Sequence, residues 1–599
     1  MSIYLLWLPD EIAASSPAVW YSGQPGTRLS NVLKIQDRKG YHMENKPKSH
    51  ESSDNPWYGV EPQIPESAIT ETVNTEILII GAGTGGMTAA IFAGRQQAQT
   101  LVIEKNATVG YYKTYNAAVD CRAQREAGAN AKLDKEALVK ELLRYPFQYD
   151  EVDRRLIANA NFVDEKLIRL WVEESGAAFD ILADELSEYG IKHVAETDIG
   201  DGYHGNFKIF PVHTKFIVPL LKGGPRGRVH GGVGVIEPWL KKKAQKLGGE
   251  FRFNTPLVKL IKQDDKVIGA IARKKDGGYL RIHASRGVLL CTGGYSDDHE
   301  LFARLNPQAA TVTSLYYGQK GNIGDGIKAG IWAGGEKAPY GTAGLFDRGM
   351  VKPGGKAGPP FRRLGPTLGP LDAFHMGSQP FLKVNMDGKR FMNESVPYDA
   401  ILYPLQYEKN HVCNVIWDAS YWDAIKRFHV VACARQLPSP TRPKTYEGIG
   451  KMINRVLLAR GAMKGYIQKA NSIEELAKKL KLPVAQFKDT VERYNKMAKA
   501  GVDEDFGKPA KDLVAVENPP FYGVTNAGWM MHTTDGLLIN SDMQVLNTQG
   551  AAIAGLYATG DAASGFFATN YYPELVVGIA SGKTITFARH AVAHMLRDG

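Results

Sequence analysis

Hydrophobic and small residues follow their most regular pattern between residues 75 and 105, TEILIIGAGTGGMTAAIFAGRQQAQTLVIEK. Residues 77–80 form an apolar run that is too short for a helix and predicts a strand buried on both faces. The small residues of 87–94 predict a helix, and the apolar run 100–103 predicts a second strand. The pattern therefore predicts a strand, a helix and another strand in direct succession.

The same periodicities predict elements along the rest of the chain. Helices are predicted for residues 135–143, 163–174, 236–247, 472–499 and 578–596. Strands are predicted for residues 250–253, 257–262, 266–273, 279–284 and 287–294, and a strand region rich in aromatic residues is predicted for 414–422. Glycine and proline are dense in 201–234 and 340–380, which predicts a loop in the first range and a long loop or hinge in the second.

Three glycines in the first predicted turn, Gly81, Gly83 and Gly86, have the spacing G-x-G-x-x-G. Between a strand and a helix, such glycines let the backbone turn tightly and approach a pyrophosphate, which the positive end of the helix attracts. Glu104 ends the second strand, where a carboxylate can accept hydrogen bonds from a ribose. Glycine turns alone are common, so the prediction of a dinucleotide site depends on the strand, the helix and the acidic residue together.

The composition is that of a large globular chain, with 599 residues, 44% of them hydrophobic and 23% charged. This length is enough for two or three domains. The net charge is +10, but the basic residues are scattered, so we expect a solvated surface and no nucleic-acid partner. The four cysteines, Cys121, Cys291, Cys413 and Cys433, are too widely spaced for a zinc, haem or dithiol motif. We therefore expect no metal, reduced thiols and a cytoplasmic location.

The first 70 residues are rich in proline, serine, asparagine and charge, which predicts a poorly packed extension. The apolar start MSIYLLWLPDE is short and soon charged, so we expect no signal peptide, and no later segment has the length of a membrane span. Met43 is an alternative start, which gives the hypothesis that residues 1–42 are absent from the native protein.

The chain resembles the fumarate reductase/succinate dehydrogenase flavoprotein superfamily in six segments: GAGTGGMTAA with VIEK, NTPLVKLI with VIGAIA, GVLLCTGGYSDD, GDGIKAG, VNMDGKRFMNE, and HTTDGLLINSDMQVLNTQGAAIAGLYATGDAASG. The resemblance covers residues 75–599. It implies an α/β architecture in which a Rossmann-like FAD-binding domain carries an inserted α+β cap domain. The FAD-binding domain would comprise residues 71–370 and 531–599, and the cap, which binds the substrate, residues 371–530.

The same resemblance implies that FAD binds without a covalent bond, because VGYYKTYNAA contains no histidine where covalently flavinylated relatives have one. It places the cofactor on Gly81, Gly83, Gly86, Glu104, Lys105, Val258, Glu394, Gly560 and Asp561. No second G-x-G-x-x-G is bounded by a strand and a helix. We therefore expect an external electron donor or acceptor rather than a built-in nicotinamide site.

The arginines of a fumarate site are missing from the expected positions. After Glu394 the chain continues Ser-Val-Pro-Tyr-Asp, and residues 568–574 contain no arginine, so a dicarboxylate would lose its bidentate partner. The segments RFMNES-x-PY and YYP instead resemble the flavin-dependent 3-ketosteroid dehydrogenases. That resemblance implies proton transfer by Tyr571 or Tyr572, with Tyr398 as a partner or carbonyl donor. His532 matches a substrate-binding histidine of fumarate reductases, and a purely structural role for it stays open.

These resemblances imply an FAD-dependent oxidoreductase that adds or removes hydrogen across a C=C bond conjugated to a carbonyl. The expected substrate is an apolar, 3-ketosteroid-like small molecule. Two alternatives stay open. One is a reductase of a small unsaturated acid such as fumarate or urocanate, with Arg362 and Arg363 supplying positive charge. The other is a flavin-binding subunit that exchanges electrons with a partner and has no substrate site.

Overall fold

The computed structural model describes residues 56–110, 116–129, 133–144, 163–195, 202–204, 207–218, 236–316, 320–363, 375–428, 455–456, 458–567 and 576–598. All of them belong to one compact unit, Pro56–Gly599. The strands are Ile69–Ile80 (β1), Thr100–Ile103 (β2), Asn116–Ala117 (β3), Lys192–Ala195 (β4), Gly202–His204 (β5), Phe207–Ile209 (β6), His213–Ile217 (β7), Glu250–Arg252 (β8), Leu257–Gln263 (β9), Lys266–Arg273 (β10), Tyr279–Leu290 (β11), Thr313–Tyr316 (β12), Ala343–Val351 (β13), Arg362–Arg363 (β14), Leu382–Val384 (β15), Cys413–Trp417 (β16), Ile467–Ala470 (β17), Phe521–Thr533 (β18), Gln544–Leu546 (β19) and Ala552–Ala558 (β20). The helices are Thr84–Arg95 (α1), Arg122–Glu126 (α2), Lys135–Arg144 (α3), Glu165–Ser187 (α4), Glu237–Lys246 (α5), His299–Leu305 (α6), Pro307–Thr311 (α7), Asp325–Trp332 (α8), Tyr398–Leu402 (α9), Tyr421–Phe428 (α10), Ile473–Leu480 (α11), Val484–Ala500 (α12) and Ile579–Asp598 (α13).

The predicted strand–helix–strand unit lies in the larger sheet. Among the described residues, this sheet has the order β19-β20-β10-β11-β1-β2-β8, and β9 pairs with β10. β1 runs parallel to β2 and β11, and its last residues are buried, as is all of β2. Burial on both faces explains why these strands are continuous apolar runs rather than alternating ones.

Helix α1 begins directly after β1 and packs against α5 and α13. Its small residues allow this close packing. A Cβ at Gly94 would come within 2.6 Å of the Leu247 carbonyl oxygen at the end of α5. The N-terminus of α1 therefore lies at the carboxyl end of β1.

A second, mixed sheet is built from strands between residues 313 and 533. In the described part of the chain its order is β14-β12-β18-β16-β15, and β13 and β17 also pair with β18. β12 is parallel to β18, whereas β13, β16 and β17 are antiparallel to it. Every residue of β13 is buried, and so is nearly all of β18. The core of this region therefore centres on the β13–β18 pair.

Strand β13 corrects the prediction of a long loop or hinge over residues 340–380. Its glycines permit close approach to β18: a Cβ at Gly349 would overlap the carbonyl oxygen of Gly528. Glycine in a strand commonly marks such an approach of two backbones. Residues 343–351 of the predicted loop are therefore a strand, and residues 364–374 of it lie outside the described residues.

Other predicted boundaries also change. The helix predicted for 472–499 is two helices, α11 and α12, because Lys481 has φ 61° and Pro483 follows it. The helix predicted for 163–174 continues to Ser187 as α4. The loop predicted for 201–234 contains β5, β6 and β7 in its described part, and the rest of it lies outside the described residues. The helices predicted for 135–143, 236–247 and 578–596 are confirmed to within two residues.

The predicted extension, residues 1–70, falls outside the described residues up to residue 55. Its described end contacts the rest of the molecule, because Glu61 pairs with Lys259 at 3.0 Å and Trp332 Nε1 donates to the Gly59 carbonyl at 3.2 Å. The domain boundaries at 370 and 530 stay predictions, although strands of the second sheet already begin at Thr313. None of the helices in the described ranges has the length and apolar character that crossing a membrane requires.

Candidate cofactor cleft and neighbouring polar site

A cleft opens where the parallel strands β1, β2, β11 and β20 end. Its lining combines the turn after each strand with residues of α8 and α13: Ile80, Gly81, Gly83, Thr84, Gly85, Ile103, Glu104, Lys105, Asn106, Thr255, Leu257, Cys291, Thr292, Gly293, Asn322, Asp325, Thr559, Gly560, Asp561, Ser581 and Thr584. The carboxyl ends of parallel strands are the usual place for a ligand in an open α/β sheet.

Each of the three motif glycines has a different physical reason for lacking a side chain. Gly81 has φ +104°, and a Cβ there would be 2.5 Å from the carbonyl oxygen of Cys291. A Cβ at Gly86 would overlap the Gly81 carbonyl oxygen, so Gly86 allows α1 to pack on β1. Gly83 has nothing within 4 Å of a Cβ position, and it is the N-cap of α1. The open space at Gly83, beside the positive end of a helix, suits a phosphate group.

Glu104 lines the cleft as predicted, and the backbone orients its carboxylate. The Ala82 N–H donates to Oε2 at 2.8 Å, and the Asn106 N–H donates to Oε1 at 2.8 Å. The side chain is buried, with 8% of the residue exposed. A carboxylate held in this way can accept a hydrogen bond from a hydroxyl group with little further loss of side-chain entropy.

Two polar atoms in the lining fit a polar ligand. Within the described part of the chain, Thr292 Oγ1 and Asp325 Oδ1 are buried and have no hydrogen-bond partner. The other oxygen of Asp325 pairs with Lys105 Nζ at 2.8 Å. Buried polar atoms are normally bonded, so these two indicate a ligand with several polar groups, as a dinucleotide has.

His532 and Asp561, predicted for separate roles, are brought together. His532 lies near the end of β18, and its Nδ1 is 3.1 Å from Oδ2 of Asp561, which lines the cleft. The His532 ring lies against Gly344 of β13, where a Cβ would come within 2.6 Å of Nε2. This pair is therefore the place where the second sheet meets the cofactor cleft.

Glu394 is not part of the cleft lining. It belongs to a buried ion cluster, which we define as Arg390, Glu394, Asp503 and Lys508. Arg390 Nη2 is 2.9 Å from Glu394 Oε2 and Lys508 Nζ is 3.2 Å from the same oxygen, while Arg390 Nη1 is 2.9 Å from Asp503 Oδ1. Burial favours a raised pKa for Glu394, but Lys508 and Arg390 outweigh it and hold the pKa below the usual range. The carboxylate is thus committed to the protein interior.

Of four further predicted site residues, one lies next to a residue of the cleft lining, and the side chains of the other three are not described. Val258 is not in the lining, and its neighbour Leu257 contributes from β9 instead. Tyr398 begins α9, but its side chain is not described, so its role stays a prediction. Tyr571 and Tyr572 fall in 568–575, outside the described residues, and also stay predictions.

The structure adds a buried polar network that sequence patterns did not indicate. Tyr295, just beyond Gly293 of the cleft, donates its hydroxyl to Asp535 Oδ2 at 2.5 Å. Lys337 Nζ donates to the same oxygen at 2.6 Å, and Asn306 Nδ2 donates to the Tyr295 hydroxyl. Burial and the charge of Asp535 raise the pKa of Tyr295. No spacing rule joins these residues, and Asp535 is 240 residues from Tyr295 and 198 residues from Lys337 in the chain.

The fold and the cleft define a dinucleotide-binding protein, with a glycine turn, a helix N-terminus and an acidic strand end around one ligand site. A profile of the family described as "FAD binding domain" matches residues 76–572. The chain therefore belongs to this FAD-binding family, and the predicted FAD cofactor is confirmed.

Similar proteins include reductases and a dehydrogenase. Vinyl phenol reductase of Lactiplantibacillus plantarum is 26% identical over 529 residues, which are 87% of this chain and 96% of that protein. A probable fumarate reductase of Shewanella frigidimarina is 25% identical over 86% of this chain and 74% of its own length. The crystal structure of a 3-ketosteroid delta1-dehydrogenase from Sterolibacterium denitrificans shares the fold, with a TM-score of 0.60, 17% identity, and coverage of 87% and 99% of the two chains.

A 3-oxosteroid 1-dehydrogenase of Mycolicibacterium smegmatis is 28% identical over 59% of this chain and 62% of its own length. The sequence matches confirm the predicted superfamily and its link to ketosteroid enzymes. At the level of the family, they also confirm the prediction of an FAD-dependent oxidoreductase acting on CH–CH groups. Identities of 17–28% do not by themselves define the substrate of this chain.

Proposed function

We propose that the protein binds FAD non-covalently in the cleft and adds or removes hydrogen across a C=C bond conjugated to a carbonyl, in an apolar, 3-ketosteroid-like substrate. The observation that carries the proposal is the His532–Asp561 pair, at 3.1 Å, where the second sheet meets the cleft. A histidine there stands beside the cofactor site and at the end of a buried strand.

The residues of the cleft fit the cofactor. The open position at Gly83 and the N-terminus of α1 would hold the pyrophosphate, and Glu104 would bind a ribose. Thr292 and Asp325 would satisfy their buried oxygens on polar groups of the same ligand. When bound, FAD supplies the site that accepts or donates a hydride. An external electron donor or acceptor completes the cycle.

We assign His532 the role of hydrogen-bonding the carbonyl that activates the C=C bond. Asp561 accepts a hydrogen bond from Nδ1, which fixes the orientation of the ring. Nε2 then donates to the substrate carbonyl when the ring is in its protonated, imidazolium form. The lack of a side chain at Gly344 leaves room for the ring. Tyr571 or Tyr572 would transfer the proton to or from the carbon, assisted by Tyr398, and this part of the proposal is supported by resemblance alone.

Two features support an apolar, uncharged substrate. Along β18, the residues before His532 include Trp529 and Met530, and Trp529 packs on Phe346 of β13 with ring centroids 5.5 Å apart. Arg362, a candidate clamp for a carboxylate, already donates to the Tyr466 hydroxyl and the Met350 carbonyl. An arginine bonded in this way is a poor bidentate partner for a substrate acid. The fumarate- or urocanate-type alternative would therefore depend on Arg363, whose side chain is not described.

A second candidate is the reduction of a C=C bond conjugated to an aromatic ring in an uncharged phenol. It is favoured by the similarity to vinyl phenol reductase, which extends over 96% of that protein. The acid–base requirement is the same, because a proton must reach one carbon while a hydride reaches the other.

The test uses the purified flavoprotein under anaerobic conditions. The flavin is reduced with dithionite, and its reoxidation is followed with a 3-keto-4-ene steroid, 4-vinylphenol, urocanate and fumarate in separate experiments. Fast reoxidation by the steroid supports the first proposal, and reoxidation by 4-vinylphenol alone supports the second. Reoxidation by a carboxylic acid alone, or by none of the four, would contradict both.

His532→Gln should slow reoxidation by about 100-fold or more while the flavin content stays unchanged. The matched control is His411→Gln, a half-buried histidine bonded to the Leu405 carbonyl at 3.3 Å and remote from the cleft lining. Equal rates in the two variants would show that His532 has no role in the reaction.

A further inference from the structure

Lys583 is a buried lysine of α13 that lies beside the cofactor cleft without being part of its lining. The residue is 1% exposed. Two neighbours in the same helix, Ser581 and Thr584, line the cleft. Lys583 Nζ donates to the carbonyl oxygen of Gly560 at 3.0 Å, and Gly560 is itself a lining residue. The amino group is therefore hydrogen-bonded to the wall of the ligand site.

The surroundings of this amino group favour its charged form. Nζ lies 4.9 Å from the ring centroid of Phe567 and 5.9 Å from that of Phe566, within the range of a cation–π interaction. The Gly560 carbonyl adds an acceptor that is directed at the ammonium group. A buried charge is costly unless such groups replace the lost water, so these contacts stabilise a protonated Lys583.

The described lining of the cleft is acidic before any ligand binds. Three of its residues carry a carboxylate, Glu104, Asp325 and Asp561, and one carries an ammonium group, Lys105. Lys105 is already paired with Asp325 at 2.8 Å. The pyrophosphate of FAD adds further negative charge, and the N-terminus of α1 offsets part of it. A full positive charge at the wall of the cleft would therefore favour binding of the cofactor.

We propose that the positive charge of Lys583 raises the affinity for FAD and favours the reduced form of the flavin. When FAD takes up two electrons and one proton, its ring system gains one negative charge. Because Lys583 is buried, water screens its charge only weakly, and the ammonium group stabilises that added charge. The inference concerns the cofactor alone, so it does not depend on which substrate the enzyme uses.

The bond to Gly560 also gives Lys583 a positioning role. Gly560 has φ +69° and precedes Asp561 of the lining. On the other side of Gly560, the Thr559 hydroxyl donates to the Thr584 carbonyl at 3.4 Å. The two bonds tie the turn after β20 to α13. Loss of positioning alone would weaken oxidised and reduced FAD equally, whereas loss of the charge weakens the reduced form more.

The test compares Lys583→Met with Lys583→Gln in the full chain and uses no substrate. Met removes the charge and the donor, whereas Gln removes the charge and keeps a donor for the Gly560 carbonyl. Titration of the apoprotein with FAD gives the affinity, and anaerobic titration against a reference dye gives the midpoint potential of the bound flavin. In both variants we expect oxidised FAD to bind about fivefold and reduced FAD about 50-fold more weakly, a fall of about 30 mV in the potential.

Lys243→Met is the matched control, because Lys243 is a buried lysine of α5 that pairs with Glu185 and Glu188 and does not belong to the lining. It should keep the FAD affinity and the midpoint potential of the wild type. Thermal unfolding of each apoprotein shows whether a variant is folded, and Lys583→Gln alone decides the test if Lys583→Met is unfolded. An unchanged midpoint potential in Lys583→Gln, or an equal fall in Lys243→Met, would overturn the proposal.

Discussion

The cofactor cleft and the buried ion cluster are constructed in opposite ways. The glycine turn of the cleft depends on side chains that are absent, at Gly81, Gly83 and Gly86, and these three residues are close together in sequence. The ion cluster depends on full-length charged side chains from distant segments, since Arg390 and Asp503 are 113 residues apart. The first region is prepared for a ligand, whereas the second satisfies its charges internally. Residues from two motifs of the same family therefore have different roles here. The motif glycines leave space for a ligand, whereas Glu394 forms ion pairs in the protein interior.

The first prediction concerns Gly86, the most crowded of the three motif glycines. Gly86→Ala should cost about 3 kcal/mol of unfolding free energy, because its Cβ would overlap the Gly81 carbonyl oxygen in a packed interior. Gly83→Ala meets no atom within 4 Å, so it should keep the wild-type unfolding free energy and lose FAD affinity. Chemical denaturation of the apoprotein and flavin titration measure the two quantities.

The comparison between these glycines would fail if both variants lost stability equally. It would also fail if Gly83→Ala bound FAD as tightly as the wild type, because the open space at Gly83 would then not be part of the cofactor site.

A second prediction breaks the ion cluster. Arg390→Met should cost about 3–5 kcal/mol, since it leaves the carboxylates of Glu394 and Asp503 buried with fewer partners. Arg493→Met removes a pair with Asp505 that lies at the surface, and should change stability by less than about 1 kcal/mol. Urea denaturation at pH 7 measures both.

The ion cluster also makes the free energy of unfolding depend on pH. Although burial favours a raised pKa for Asp503, its bonds to Arg390 outweigh this, and the pKa lies below the usual range, as for Glu394. A lowered pKa in the folded state contributes stability above the unfolded value of about 4, and this is lost as the pH falls further. The stability gap between wild type and Arg390→Met should therefore shrink below about pH 4. A gap that stays constant to pH 3 would contradict this assignment.

The last prediction concerns a single hydroxyl group in the cleft, and its expected effect on FAD affinity is small. Thr292→Val removes the buried Oγ1, which has no partner among the described residues, and keeps the shape of the side chain. The apoprotein should lose no stability, whereas FAD affinity should fall about fivefold, corresponding to a hydrogen bond of about 1 kcal/mol. Thermal unfolding of the apoprotein and flavin fluorescence titration check this. Lower stability with unchanged FAD affinity would mean that the hydroxyl serves the fold.

Much of the nucleotide-binding half was predictable because its signals are local. The buried strands β1 and β2, helix α1 and the glycine turn each follow from a few consecutive residues. Val258 was predicted to contact FAD, whereas its neighbour Leu257 lines the cleft. Periodicity within a short strand does not establish which face of the strand is towards the ligand, so the sequence did not distinguish these two residues. The loop predicted over β13 was wrong because glycine marks both turns and close strand contacts.

The sequence was sufficient to predict the FAD-binding class, the order of the first elements, and the placing of Gly81, Gly83, Gly86 and Glu104 in the turn and at the strand end. These depend on backbone conformation and on spacing within one supersecondary unit. The tertiary structure was needed to show that Glu394 lies in an ion cluster and that His532 lies beside Asp561. Such contacts join residues far apart in the chain, and their geometry depends on how whole sheets and helices pack.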